Sequence, residues 1–201
     1  IIGPGRLLRR ASESDRLFSS IIFWGPPGVG KTTLAAVIAN TTSAHFETLN
    51  AVLAGVADLR KLVTEAKDRR GMYGVRTILA IDEIHRWNKA QQDGLLPVVE
   101  DGTITLIGAT TENPFFSIIA PLLSRSRIFR FETLTEAQIE DLLRQALEDE
   151  ERGYGKRTIV AEEEALRHLA DLSDGDVRTE ATVSAPLGEW MEIGGTSSSG
   201  T

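Results

Sequence analysis

Five short apolar runs alternate with longer segments whose apolar residues fall at helical spacing. The first, residues 21–24, reads Ile-Ile-Phe-Trp and stops at a Gly/Pro cluster, the pattern of a strand buried on both faces. Residues 32–40 follow, with Leu34, Ala35, Val37, Ile38 and Ala39 at helical spacing. A second strand is predicted over residues 46–49. It is followed by a helix over about 56–70 that puts Leu59, Leu62, Val63 and Ala66 on one face, with Gly71 and Gly74 breaking the pattern. The third strand, residues 77–81, runs into Asp82-Glu83, and a helix is predicted over about 89–99. Residues 103–109 make a fourth apolar run and 128–131 a fifth. Strands that are apolar throughout and alternate with helices indicate an α/β fold, a parallel five-stranded sheet flanked by helices on both faces. Ligand groups on such a sheet gather at the carboxyl ends of the strands.

Near Thr133 the pattern becomes purely helical. Thr135 and Gln138 form a Thr-x-x-Gln capping box that opens a helix with Ile139, Leu142, Leu143, Ala146 and Leu147 on its apolar face. A second helix, about 162–172, carries Ala165, Leu166, Leu169 and Ala170. The predicted organisation is a nucleotide-binding α/β domain over residues 1–132, a partial helical lid over 133–180 and an irregular, divergent tail over 181–201, whose Gly/Ser/Thr run from Gly194 is of low complexity. The chain starts at Ile1 rather than Met, and its opening reads as the middle of a longer protein.

Composition narrows the picture in three ways. The 201 residues are 41% hydrophobic and 25% charged, which is ordinary for a globular protein with a sizeable core. A net charge of -7 excludes a broad polyanion-wrapping surface, so any nucleic-acid contact is local. Cysteine is absent, which rules out disulfides and thiolate metal sites. No apolar run approaches the roughly 20 residues that span a bilayer, and no signal-peptide order opens the chain. A soluble, intracellular protein without a membrane partner is expected.

Gly25-Pro26-Pro27-Gly28-Val29-Gly30-Lys31-Thr32 satisfies G-x-x-x-x-G-K-[ST], with a strand before it and a helix, entered through Thr33, after it. This is the phosphate loop of a P-loop NTPase. Its backbone N–H groups curl around phosphate oxygens, the helix N-terminus adds positive potential, Lys31 reaches the terminal phosphates and Thr32 ligates Mg2+. Asp82-Glu83, at the end of the third strand, completes the pattern: Asp82 holds the Mg2+ shell and Glu83 polarises the attacking water. ATP and Mg2+ are the expected ligands.

Other residues admit two readings each. Thr110-Thr111-Glu112-Asn113 after the fourth strand is either a helix-capping turn or the source of a polar group for the lytic water or γ-phosphate. Arg125 and Arg127 are either ion-paired surface residues or an arginine finger. Arg86, Trp87 and Lys89 offer charge and a stacking surface suited to single-stranded nucleic acid, or a helix start with a half-buried Trp. His85 reads as structural, and three histidines without cysteine make a zinc site improbable.

Four separated stretches now carry a resemblance. These are Phe-Trp-Gly-Pro-Pro-Gly-Val-Gly-Lys-Thr-Thr-Leu-Ala, Asp-Glu-Ile-His-Arg-Trp-Asn-Lys-Ala-Gln-Gln-Asp, Leu-Ile-Gly-Ala-Thr-Thr-Glu-Asn-Pro and Leu-Leu-Ser-Arg. Together they resemble the AAA+ ATPase core of the replication-associated recombination protein A family, which includes the Werner helicase-interacting proteins and is related to clamp-loader and Holliday-junction motors. The resemblance covers about residues 1–179. It implies a sheet ordered 5-1-4-3-2, a helical lid and homo-oligomeric rings with ATP at subunit boundaries. It also implies action on single-stranded, gapped or forked DNA beside single-strand binding protein and the replication machinery. The place of work would be the cytoplasm, at the nucleoid, in a bacterium, or the nucleus in a eukaryote. Carried over by position, Thr111 is the sensor-1 residue, ahead of Asn113, and Arg125 is the finger reaching the neighbouring subunit. Arg178 is the lid's sensor-2 arginine, and Asn50 holds the catalytic glutamate inactive until a ligand binds. Ile1 and Ile2 lie in the segment that closes over adenine. The chain departs from the family at Leu53 and Ala54, where Thr-Ser is usual. It departs again after Thr179, where Pro186 and Gly188 interrupt the expected lid helix.

Overall fold

The computed structural model describes residues 19–150, 153–156, 161 and 163–172. Five strands form one sheet: β1 (Ser20–Trp24), β2 (His45–Asn50), β3 (Thr77–Asp82), β4 (Ile104–Thr110) and β5 (Ser126–Arg130). Their spatial order is β2-β3-β4-β1-β5 and every pairing is parallel. This is the order implied by the family resemblance, read from the opposite edge. Helices α1 (Lys31–Asn40), α2 (Val56–Tyr73), α3 (Lys89–Asp93), α4 (Leu96–Glu100), α5 (Pro114–Ser117) and α6 (Ala120–Ser124) supply the crossovers, with a 3₁₀ turn at Ile84–Arg86.

The three central strands β1, β3 and β4 are buried along almost their whole length because both of their faces are covered, whereas the edge strands β2 and β5 carry polar, partly exposed residues. Alternate residues of one strand enter different cores. Ile21, Phe23, Ile78, Ala80 and Ile107 pack with Leu34, Ala35 and Ile38 of α1. Ile22, Leu79, Ile81 and Leu106 pack with Leu59, Leu62 and Ala66 of α2 and with Ile84, Trp87, Leu95, Val98, Ile118 and Leu122. A one-residue slip of any strand would exchange these two sets, so register is tightly specified.

Two helix boundaries differ from the pattern. Gly71 does not stop α2, which runs to Tyr73 and ends at Gly74, a left-handed cap (φ 66°) whose N–H bonds the Arg70 carbonyl. A glycine inside a helix costs only about 1 kcal/mol relative to alanine, and the packed face of α2 outweighs that. The helix predicted over 89–99 is two helices. Pro97 lacks an N–H, and its ring would clash with the carbonyl four residues back, so the chain breaks after Asp93 and restarts at Leu96.

The described residues divide into two compact units, the first containing the residues up to Gly25 with Gly30–Phe131, the second Pro26–Val29 with the residues from Glu132 onward. In the second unit α7 (Glu136–Glu148) and α8 (Glu163–Leu172) form a helical pair. Thr135 and Gln138 close the capping box at the start of α7. Arg144 joins the two helices through Glu163 of α8 at 2.5 Å, and it also pairs with Glu140 one turn back on α7 at 3.5 Å.

Candidate functional site

The site is assembled at the carboxyl ends of β1, β3 and β4, which sheet order brings side by side. Gly25 follows β1 with φ 149°, and a Cβ there would stand 2.4 Å from the Phe131 carbonyl oxygen, so only glycine fits. Its N–H donates to the Thr110 carbonyl (3.2 Å), which ties the start of the phosphate loop to the end of β4. Gly28 and Gly30 also have positive φ, at 73° and 84°. Pro26 and Pro27 stiffen the loop between these glycines, and Val29 is buried.

Lys31 opens α1 and is only 6% exposed, with Nζ 2.9 Å from the Gly25 carbonyl. An ammonium held so deep at a helix N-terminus adds its charge to that of the helix end, a combination suited to binding phosphate. Thr32 and Thr33 lie exposed on the same turn, and the Thr32 hydroxyl donates to Asp82 Oδ1 at 3.4 Å across the sheet. This donor set fits Mg2+, a hard ion that takes one or two protein oxygens together with phosphates and water. Among the described residues no cluster of three or more His, Cys, Asp or Glu offers an all-protein metal cage.

Glu83 follows in a left-handed conformation (φ 55°, ψ 42°), the one non-glycine residue with positive φ among those described. Such a backbone costs on the order of 1 to 3 kcal/mol, and here it turns the carboxylate toward the end of β4. Oε2 accepts from the Thr111 hydroxyl at 3.5 Å and lies 3.2 Å from His85 Nδ1. Thr111, the expected sensor, therefore stands in contact with the Glu83 carboxylate. Asn113 is engaged otherwise, since its side chain caps α5 through the Phe115 N–H. The turn thus caps a helix through Asn113, while Thr111 contacts Glu83. Asn50 pairs in register with Asp82, but its Oδ1 accepts from Val52 N at 2.9 Å and caps its own turn. The structure does not bring the Asn50 side chain to Glu83.

Arg125 lies at the other end of the sheet, just before β5 and beside the start of β1, where Ser20 pairs with Ser126. At about 3.3 Å per residue, the five residues of β1 separate it from the phosphate loop by roughly 17 Å. Its guanidinium bonds Glu100 at 2.5 Å, the Pro121 carbonyl at 2.8 Å and the Ser124 hydroxyl at 3.2 Å. Arg127 is exposed on β5.

The stacking surface proposed for Trp87 is not there. Its ring is 3% exposed and belongs to the core beneath β3, because the extended backbone after the 3₁₀ turn points it inward. Arg86 and Lys89 remain exposed. Two structural residues carry no motif of their own. Thr110, fully buried, joins His85 to the Glu112 backbone. Gln92 bonds the Trp87 and Ser117 carbonyls and the Ile119 N–H, linking the segments that follow β3 and β4. An uncompensated Gln in the helical pattern was the signal available for the second. Ile1, Ile2, Arg178 and the divergent tail lie outside the described residues.

Residues 21–136 match the ATPase family associated with various cellular activities (AAA). The chain is 48% identical to the replication-associated recombination protein A of Haemophilus influenzae over 89% of its own length and 40% of the relative's. It is 45% identical to the ATPase WRNIP1 of Dictyostelium discoideum over 88% of its length and 20% of that protein's. Among solved structures, the Thermotoga maritima RuvB Holliday junction branch migration motor superposes with a TM-score of 0.74 at 26% identity, covering 92% of this chain and 59% of that one. The chain thus spans well under half the length of the curated relatives it matches. The phosphate-loop pattern and the acidic pair on a sheet of this order, with these similarities, establish that the chain belongs to the AAA family of ATPases and carries the AAA domain of the replication-associated recombination protein A group.

Proposed function

We propose that this chain binds ATP with Mg2+ and hydrolyses it, as the engine of an oligomeric protein that maintains replication forks and acts in recombination and repair of DNA. The observation that carries the reading is the convergence of Lys31, Thr32, Asp82, Glu83 and Thr111 at three neighbouring strand ends. Lys31 and the loop N–H groups bind the phosphates, while Thr32 and Asp82 hold the metal, which supplies charge neutralisation across the phosphates. Glu83 orients and polarises the attacking water, and Thr111 fixes that carboxylate relative to β4. Arg125, too far from its own phosphate loop to assist there, serves the nucleotide of an adjoining subunit. Arg178 on the lid and closure of the segment around Ile1 and Ile2 over adenine are the remaining roles in this reading. The names of the relatives support replication and recombination as the setting of this work.

DNA contact rests on local cations, Arg86 and Lys89 first, because the net charge is -7. Single-strand binding protein and the replication machinery are the expected protein partners. The fold likeness to RuvB favours a second reading, a Holliday-junction motor, in which the same phosphate site drives branch migration. The deciding measurement is the ATPase rate of the whole protein alone and with single-stranded, gapped, forked and four-way DNA. Stimulation by forks or gaps supports the first reading and stimulation confined to four-way junctions the second. Turnover indifferent to every DNA would overturn both.

A further inference from the structure

His85 sits between the acidic pair and the sensor turn, and the hydrolytic roles above leave it without a part. Its side chain is 4% exposed. Nδ1 lies 3.2 Å from Glu83 Oε2 and 3.0 Å from the Thr110 hydroxyl, while Nε2 faces the exposed Glu112 carboxylate at 3.7 Å, beyond hydrogen-bond reach. The location of the hydrogen follows from its neighbours. Thr110 Oγ1 accepts from the Glu112 N–H at 3.0 Å and has the Glu112 carbonyl at 3.3 Å to take its own hydrogen. An ionised Glu83 has no proton to give. Both oxygens therefore present lone pairs to Nδ1, and Nδ1 carries the hydrogen.

We infer that His85 is a positioning residue for Glu83: its Nδ1–H forks between the Glu83 carboxylate and Thr110, and sets the acid against the end of β4. Thr110 also receives the Gly25 N–H through its carbonyl, so the fork refers Glu83 to the start of the phosphate loop. Both contacts on the carboxylate, from His85 and Thr111, fall on Oε2. Oε1 makes neither contact, which leaves it as the oxygen that takes a hydrogen from water. The inference rests on the hydrolytic reading of Glu83, but its geometry can be tested without turnover.

The first test is the imidazole nitrogen spectrum of the full chain labelled with ¹⁵N-histidine, which contains three histidines. The His85 resonance, identified by its loss in His85→Asn, is expected to show a protonated Nδ1 and to shift in Glu83→Gln. A bare Nδ1, or a signal indifferent to Glu83→Gln, overturns the inference. The second test is kinetic. Misplacing a catalytic group by about 1 Å costs up to about 100-fold in rate. His85→Ala is expected to lower kcat about 10- to 100-fold with KM for ATP and affinity for a fluorescent ATP analogue unchanged. His85→Asn, which restores an N–H near Nδ1, recovers part of the loss. Equal losses of analogue affinity, thermal midpoint and kcat, without rescue by His85→Asn, would reduce His85 to packing. Absence of turnover in the unmodified chain would sink the hydrolytic reading and leave the spectrum to decide on His85.

Discussion

In the proposed reading Lys31 and Glu83 share one site yet answer for different steps. Lys31→Ala removes the buried cation that receives the phosphates, and nucleotide affinity is expected to fall below detection in calorimetry. Glu83→Gln keeps the shape of the side chain and its contact with Thr111, so it should bind ATP as the unmodified chain does while turnover falls by about 10² to 10⁴. Equal loss of affinity in both variants would remove Glu83 from water activation. At this scale the phosphate loop and the acidic pair were legible because each is contiguous in the chain and its spacing carries the chemistry. The partners of Glu83 were not legible in the same way. They come from the turn after β4 and from a histidine whose use depends on β3 and β4 being neighbours, a fact of sheet order rather than of local spacing. Asn50 shows the converse. Its position at the end of β2 was foreseen, but an amide oxygen so close to its own turn is captured by Val52 N–H.

Among the elements, strands were the more legible because burial on both faces leaves a continuous apolar signature. The short helices were less so. A period of 3.6 runs on through 89–99 in the sequence, and only the missing N–H of Pro97 divides α3 from α4. The 3₁₀ turn Ile84–Arg86 escapes periodicity altogether, and it is what rotates Trp87 into the core. Trp87 Nε1 is buried without a hydrogen-bond partner among the described residues. An unmet donor of this kind costs about 1 to 3 kcal/mol. Trp87→Phe deletes it at the expense of some ring volume, so the thermal midpoint is expected to hold or rise. Affinity for single-stranded DNA should not change. A marked loss of that affinity in a well-folded Trp87→Phe protein would restore the stacking role that the geometry removes.

For the molecule as a whole, the decisive feature is that phosphate loop and Arg125 occupy opposite ends of β1 and β5. An arginine finger contributes about 10³ to 10⁵ in rate. Arg125→Ala protein retains a complete phosphate site and Lys31→Ala protein retains its arginine, so mixing the two inactive full-length variants is expected to restore part of the ATPase. Mixed assemblies that form by light scattering and stay silent would turn attention to Arg127. With Arg125 as the proposed finger, the same separation would give every subunit a direction, with an acceptor end and a donor end. Two copies related by a two-fold axis would present like ends to each other and leave both nucleotides without an arginine, whereas head-to-tail contacts match unlike ends. Completeness of sites then becomes a matter of counting. A closed ring has as many competent sites as subunits, while an open arc is always one short, with an idle arginine at one tip and an unassisted nucleotide at the other.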